Sequence, residues 1–181
     1  ILANKQAVCD GYSKAMNLML NMAGVESIIV TGTAKGVRHS WNKVKMDGEW
    51  YNIDATFDDP LPDRAGAVYH DYFNITDKQM RAKPSESNIG DHSWDDSKYP
   101  AATATKYNYF LRTGKASTNY EQFKSALSGQ LQNNNRPKVV QVYTVNFDNS
   151  YSLDFIREIG VKNFGYSKPK GSSGVFTLLI N

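Results

Sequence analysis

Along residues 10–24 the apolar side chains fall at Tyr12, Ala15, Met16, Met19 and Met22, close to the i, i+3, i+4, i+7 spacing of an amphipathic helix, and Gly24 supplies a stop. A helix is predicted over residues 9–23. The period then changes. Residues 27–33 are rich in β-branched side chains and predict a strand that ends in a turn region at 32–36. Two further arms, 39–46 and 49–57, flank Asp47-Gly48, a dipeptide suited to the two-residue type I′ turn of an antiparallel hairpin. Pro60 and Pro62 break regular structure, and residues 63–100 give mixed loops and short elements with a helix start at Thr76.

The second part has an α/β rhythm. Helices are predicted over 119–131 and 152–159, the latter stopped by Gly160, and strands over 138–147 and 175–180. The polar run 133–137 is a loop, and a helical link between strands permits parallel pairing through a crossover. No repeat of solenoid length and no low-complexity tract occurs.

A chain of 181 residues fits one medium domain with a small appendage. The pattern divides it at residues 1–112, which carry the candidate chemistry, and 113–181, a small α/β extension. Composition is 40% hydrophobic and 12% aromatic, with 11 tyrosines, which describes a folded chain with polar surfaces. The net charge is +3, from 21 basic and 18 acidic residues that are scattered rather than clustered, so no nucleic-acid footprint stands out. Apolar runs such as 27–30 and 175–180 fall far short of the roughly 20 residues that span a bilayer. The chain starts at Ile1 without a methionine, so it reads as a processed form or an excised fragment with a shortened N-terminus. Those features and the lack of a structural disulfide suit a secreted or surface protein of a bacterium. They suit an intracellular one too.

The one cysteine excludes an intrachain disulfide and a cysteine-rich metal site. By position alone Cys9 reads first as a small buried residue. It also falls at a predicted helix N-terminus, where unpaired backbone N–H groups favour a thiolate. Asp10 opposes that anion, so a cationic partner such as a histidine is required. The hairpin offers one. With Asp47-Gly48 as the loop, cross-strand partners sum to 95, which sets Trp41 opposite Asp54 and His39 opposite Thr56. His39, Trp41 and Asp54 then share a face, with His39 and Asp54 as diagonal neighbours. Asp54 can fix one imidazole nitrogen and leave the other to take a thiol proton, while Trp41 shields that hydrogen bond. A half-buried aromatic hairpin face explains the same residues without chemistry. The combination with Cys9 favours a nucleophile, base and orienting acid.

The segments Ala7-Val8-Cys9-Asp10-Gly11-Tyr12-Ser13-Lys14-Ala15, Gly24-Val25, Val30-Thr31-Gly32, His39-Ser40-Trp41-Asn42 and Gly48-Glu49-Trp50-Tyr51-Asn52-Ile53-Asp54-Ala55-Thr56-Phe57-Asp58-Asp59-Pro60 together resemble the bacterial transglutaminase-like superfamily. The order and spacing match a Val-Cys-x-Gly-Tyr helix start, a His-x-Trp-Asn strand and a Trp-Tyr-x-x-Asp strand, over about residues 5–60. The resemblance implies an α+β, papain-like core with the cysteine at a helix N-terminus packed on an antiparallel sheet. It also implies Cys9 as nucleophile, His39 as general base and acid, and Asp54 as orienting group. The family includes transglutaminases, peptidases, amidases and members without demonstrated activity. Cysteine-dependent acyl transfer on a protein or peptide amide is expected, with no cofactor. A non-catalytic binding or surface module with the same fold is the alternative.

The Cys9 backbone N–H is the natural first oxyanion donor. Gln6 is a candidate second donor, more readily read as a surface residue, and Gly11 either admits a substrate backbone or merely eases the helix start. A second His-Ser-Trp at residues 92–94 offers a rival base in His92, but it lies in a loop-like stretch with no strand to align an acid, so His39 is preferred. His70 and His92 read as surface or loop-packing residues. Widely spaced histidines argue against a metal site. Tyr12 reads as core, and Asp58 with Asp59 as a solvated turn.

Overall fold

The computed structural model describes residues 8–59, 62, 66–83, 86, 89–132 and 137–180. The chain divides into two compact units, the first made of residues 1–61, 71–83 and 89–108 and the second of 62–70, 84–88 and 109–181.

The first unit is a five-stranded antiparallel sheet with a long helix. Helix α1 (Cys9–Met22) leads to β1 (Ser27–Ala34), β2 (Val37–Met46) and β3 (Glu49–Ile53), then β4 (Phe73–Ile75), the short α2 (Asp77–Met80) and β5 (His92–Ser93). The order across the sheet is β4-β3-β2-β1-β5. The β2–β3 register pairs Met46 with Glu49 and Asn42 with Ile53, as the two-residue loop requires. Asp47 and Gly48 have φ of 51° and 82°, the left-handed pair of a type I′ turn. Lys35 and Gly36, at 51° and 76°, make the same turn between β1 and β2. The β3 arm is shorter than its sequence suggests. Asp54 Oδ1 accepts the backbone N–H groups of Thr56 and Phe57 at 3.0 and 3.2 Å, and this side-chain turn ends the strand. Thr76 starts α2 with a reciprocal capping box to Gln79.

Strand β2 is buried on both faces because each face has its own cover. Val44, Tyr51 and Ile53 pack beneath Met16 and Leu20 of α1, and Ser40 and Asn42 reach Ser13 of the same helix. On the other face Lys43 is wholly buried and pairs with Asp77 at 2.9 Å. The apolar stripe read for α1 is displaced by about one position. Ser13 is its buried residue, Met19 and Met22 are exposed, and Tyr12 turns its hydroxyl to Asp59 instead of entering a core.

The second unit contains α3 (Tyr109–Arg112), β6 (Ala116–Ser117), α4 (Tyr120–Leu131), β7 (Val139–Val145), α5 (Asp154–Glu158), β8 (Phe164–Ser167) and β9 (Ser173–Ile180). Its sheet runs β6-β7-β9-β8. Phe123, Leu127 and Leu131, at helical spacing on α4, pack with Val140, Val142, Phe176 and Leu178 of the sheet and with Phe155 and Ile156 of α5. The parallel pair is β6–β7, joined through α4, whereas β7 and β9 are antiparallel. Strand β8, edge-placed and half-exposed, accounts for that difference: the α5 crossover delivers the chain to β8, and β9 returns between β8 and β7.

Among the described residues no helix is long and apolar enough to cross a membrane.

Candidate active site

Cys9 is the first residue of α1, following Val8 in the cap position. Its backbone N–H therefore lies in the first turn, where the helix supplies no acceptor. The Asp10 carboxylate beside it is bound to Lys14 one turn on, at 2.7 Å, which tempers its repulsion of a thiolate. Burial acts to raise the Cys9 thiol pKa. The Ser40 N–H, the Ser40 hydroxyl and His39 donate towards the sulfur and outweigh burial, so the net shift is downward. Ser40 Oγ is itself fixed by Ser13 Oγ at 3.1 Å.

His39 lies at the start of the covered part of β2. Its Nε2 is 2.6 Å from Asp54 Oδ2, which leaves Nδ1 as the nitrogen for the thiol. Phe57 stacks on the imidazole at 4.7 Å between ring centroids, and Trp41, buried and bonded through Nε1 to Asn52, lies parallel at 6.0 Å. Burial pulls the His39 pKa down, but the hydrogen bond and charge of Asp54 prevail and the net shift is upward. Asp54 shows the converse. Burial would raise its pKa, and the bonds from His39 and then His92 bring it below the ordinary carboxylate value.

The structure thus brings Cys9, His39, Asp54 and Trp41 together. Gly11 sits in the same first turn, its N–H donating to Val8 O at 2.9 Å. Gln6 lies outside the described residues.

The reading of His92 as an unaligned loop histidine needs correction. His92 belongs to β5, pairs with Ala34 of β1, is buried, and places Nε2 3.0 Å from Asp54 Oδ2. The signal was the repeated His-Ser-Trp: its copies lie on β2 and β5, the two strands that flank β1. His39 stands opposite Gly32 and His92 opposite Ala34, so only small residues separate the two rings, which approach to 5.4 Å between centroids. Asp58 also departs from expectation. It accepts the Tyr72 N–H at 2.9 Å, and burial and then the charge of Asp71 push its pKa well up. Ser40 was missed because a serine between two chemistry-bearing residues carries no signal until the helix start is placed over it. His70, in the second unit, stacks on Tyr109 at 3.6 Å, which is the loop-packing role expected of it.

Among the described residues, His39, Asp54 and His92 are the set that could hold a metal, with ligand atoms within 4.8 Å of one another. The separations of 2.6 and 3.0 Å are those of hydrogen bonds. Tetrahedral zinc with bonds of about 2.0–2.1 Å would spread its ligand atoms to about 3.3 Å. Protons fit this cluster better than a metal does.

An antiparallel sheet, a cysteine at a helix start and a histidine–carboxylate pair on the adjoining strands make up the candidate site. Residues 1–55, which contain Cys9, His39 and Asp54, match the family model of the transglutaminase-like superfamily. The chain is also similar to the kyphoscoliosis peptidases of Mus musculus and Homo sapiens, each 28% identical over 92 residues. Each match covers 42% of this chain but 14% of the relative, so the chain spans a small part of the length of these curated relatives.

Proposed function

We propose that the first unit carries out cysteine-dependent acyl transfer on a protein or peptide amide through a thioester, on a papain-like core with Cys9, His39 and Asp54 as nucleophile, base and orienting group. The observation that carries this reading is the relay itself. Asp54 Oδ2 holds His39 Nε2 at 2.6 Å, and the free face of that imidazole, with Ser40, lowers the Cys9 thiol pKa.

His39 Nδ1 takes the thiol proton, giving a thiolate–imidazolium pair. The sulfur attacks the amide carbonyl carbon, and the C=O electron pair moves onto oxygen, where the Cys9 N–H at the helix start receives it. Collapse of the tetrahedral adduct breaks the C–N bond as His39 returns its proton to the departing nitrogen. The acyl group is left on sulfur. Water or an amine, deprotonated by His39, then attacks the thioester and releases Cys9. Water makes the protein a peptidase or amidase, and an amine makes it a transglutaminase. Trp41 and Phe57 keep bulk water from the His39–Asp54 bond.

The test is alkylation of Cys9 by iodoacetamide across pH. A reactive thiolate well below the free-thiol pKa of about 8.5 is expected; a thiol that is inert, or that titrates as a free one, overturns the reading. Incorporation of a labelled amine into glutamine-containing proteins, set against release of ammonia or new peptide ends, separates transfer from hydrolysis. Activity that survives Cys9→Ala would reject the assignment of the nucleophile.

A further inference from the structure

His92 is the group that the reaction scheme does not use. Its Nδ1 lies 3.0 Å from the carbonyl oxygen of Gly90, an atom that can only accept, so that nitrogen must carry a proton. Its Nε2 faces Asp54 Oδ2 at 3.0 Å, and the same oxygen receives His39 Nε2 at 2.6 Å. The other oxygen of Asp54 is occupied by the Thr56 and Phe57 N–H groups. Three N–H donors and the His92 nitrogen converge on one carboxyl group. A neutral acid could give its one O–H to His92 Nε2 and still accept from His39, but the Asp54 pKa lies below the ordinary carboxylate value, so Asp54 has no proton to give and His92 Nε2 is the donor.

We propose that His92 carries protons on both ring nitrogens and acts as a positioning residue, a buried cationic clamp that fixes Asp54 and offsets its charge while His39 exchanges protons with Cys9. This rests on the acyl-transfer reading above. The surroundings suit a buried cation. Trp41, Phe57 and Tyr72 enclose the His92 ring at centroid distances of 5.0, 5.1 and 5.6 Å, within the range over which aromatic rings attract cations. The titratable groups around it are Asp54 at the end of β3, His39 on β2 and Tyr72. Asp58 accepts the Tyr72 N–H, and Lys35 lies over Phe57.

The consequence is a division of labour. Asp54 keeps the hydrogen bond that orients His39, but its charge is already balanced by His92. Without that balance, Asp54 would hold the proton on His39 more tightly and make His39 a more reluctant acid towards the leaving amine.

The experiment is nitrogen-15 NMR of histidine-labelled protein, using the 181-residue chain at pH 7. Both His92 ring nitrogens are expected to show directly bonded protons; a nitrogen without one overturns the proposal. The variant His92→Gln retains a donor but removes the charge. Loss of a positive charge at the observed ring separation should raise the His39 titration by about one to two pH units and move the Cys9 alkylation profile in the same direction. A residue that only packs would give the opposite result, with His39 falling towards about 6.5 as its partner loosens. Either that fall or an unmoved titration rejects the clamp. An inert Cys9 beside a doubly protonated His92 defeats the acyl-transfer reading alone, and a singly protonated His92 beside a reactive Cys9 defeats this one alone.

Discussion

Asp54 and Asp58 stand four positions apart in one turn, yet opposite substitution effects follow from their surroundings. Asp54 has donors on both oxygens, so Asp54→Asn would turn an N–H group against either two histidines or two backbone N–H groups. Breaking a buried pair in this way costs about 3–5 kcal/mol. Alkylation of Cys9 near pH 6 should fall to the rate of an ordinary thiol, and chemical denaturation of the variant reads the stability loss. Asp58 has its pKa pushed well up by burial and by Asp71. A raised carboxyl contributes stability below its unfolded pKa of about 3.9, and that contribution is lost as pH rises through the folded value. Asp58→Asn keeps an oxygen for the Tyr72 N–H and removes the buried charge. It should therefore stabilise the first unit by about 1 kcal/mol near neutrality, with a gain at pH 8 that exceeds the gain at pH 5. A gain independent of pH would contradict this account.

At the scale of elements, the site depends on how closely β5 approaches β1. A methyl group on Gly32 would stand 2.1 Å from the Ser93 carbonyl oxygen and 3.1 Å from the Trp41 ring. Gly32→Ala must therefore displace β5, and His92 with it, at a cost of about 1–3 kcal/mol. Faster hydrogen exchange confined to β5 and the adjoining part of β1 is the expected sign. The same sheet has a second weak link in Lys43, buried with Asp77, whose carboxylate also accepts from Asn52 Nδ2 and the Ala102 N–H. Asp77→Ala strands a buried ammonium and should cost about 3–5 kcal/mol, whereas Lys43→Met leaves Asp77 with donors and should cost far less. Thermal melts of the two variants give the comparison.

These elements also explain what the sequence revealed. The β2–β3 hairpin was legible because Asp47-Gly48 fixes both turn and parity, and parity alone puts His39, Trp41 and Asp54 on one face. Strand β5 was not legible. Two residues have no period, and His92 gains its meaning from pairing with β1, nearly sixty positions earlier in the chain. The buried face of α1 was misread because polar residues hold it: Ser13 and Asn42 dock the helix, which a search for apolar spacing passes over. Strand β8 escaped because an edge strand with two exposed positions shows little hydrophobic alternation.

Across the whole molecule, the two units should answer pH in opposite directions. In the first unit His39 has a raised pKa, so its contribution is complete below the unfolded value of about 6.5 and disappears as pH climbs through the folded one. Asp58 adds a loss of the same sign. Asp54, with a lowered pKa, contributes above about 3.9 and is lost only when pH falls through its folded value. Cys9, with a lowered thiol pKa, contributes above its unfolded value and loses that contribution as pH falls, so it offsets His39. The gain of the first unit as pH drops from 8 towards 5 is therefore carried by Asp58, until stronger acid protonates Asp54. In the second unit burial, and then the charge of Lys115, depress the His70 pKa to about 4. A depressed histidine stabilises the fold above about 6.5, and that contribution fades as pH falls towards the folded value. Trp41, Trp50 and Trp94, the chain's three tryptophans, all lie in the first unit, so indole fluorescence follows that unit alone. Between pH 8 and 5 the urea midpoint read by fluorescence should rise while hydrogen-exchange protection of α4 and β7, corrected for intrinsic rates, declines. His70→Phe keeps an aromatic ring for Tyr109 and removes the titration, so it should abolish the decline in the second unit and leave the fluorescence midpoint of the first unchanged. A decline that persists in His70→Phe would assign the acid sensitivity of that unit to another group.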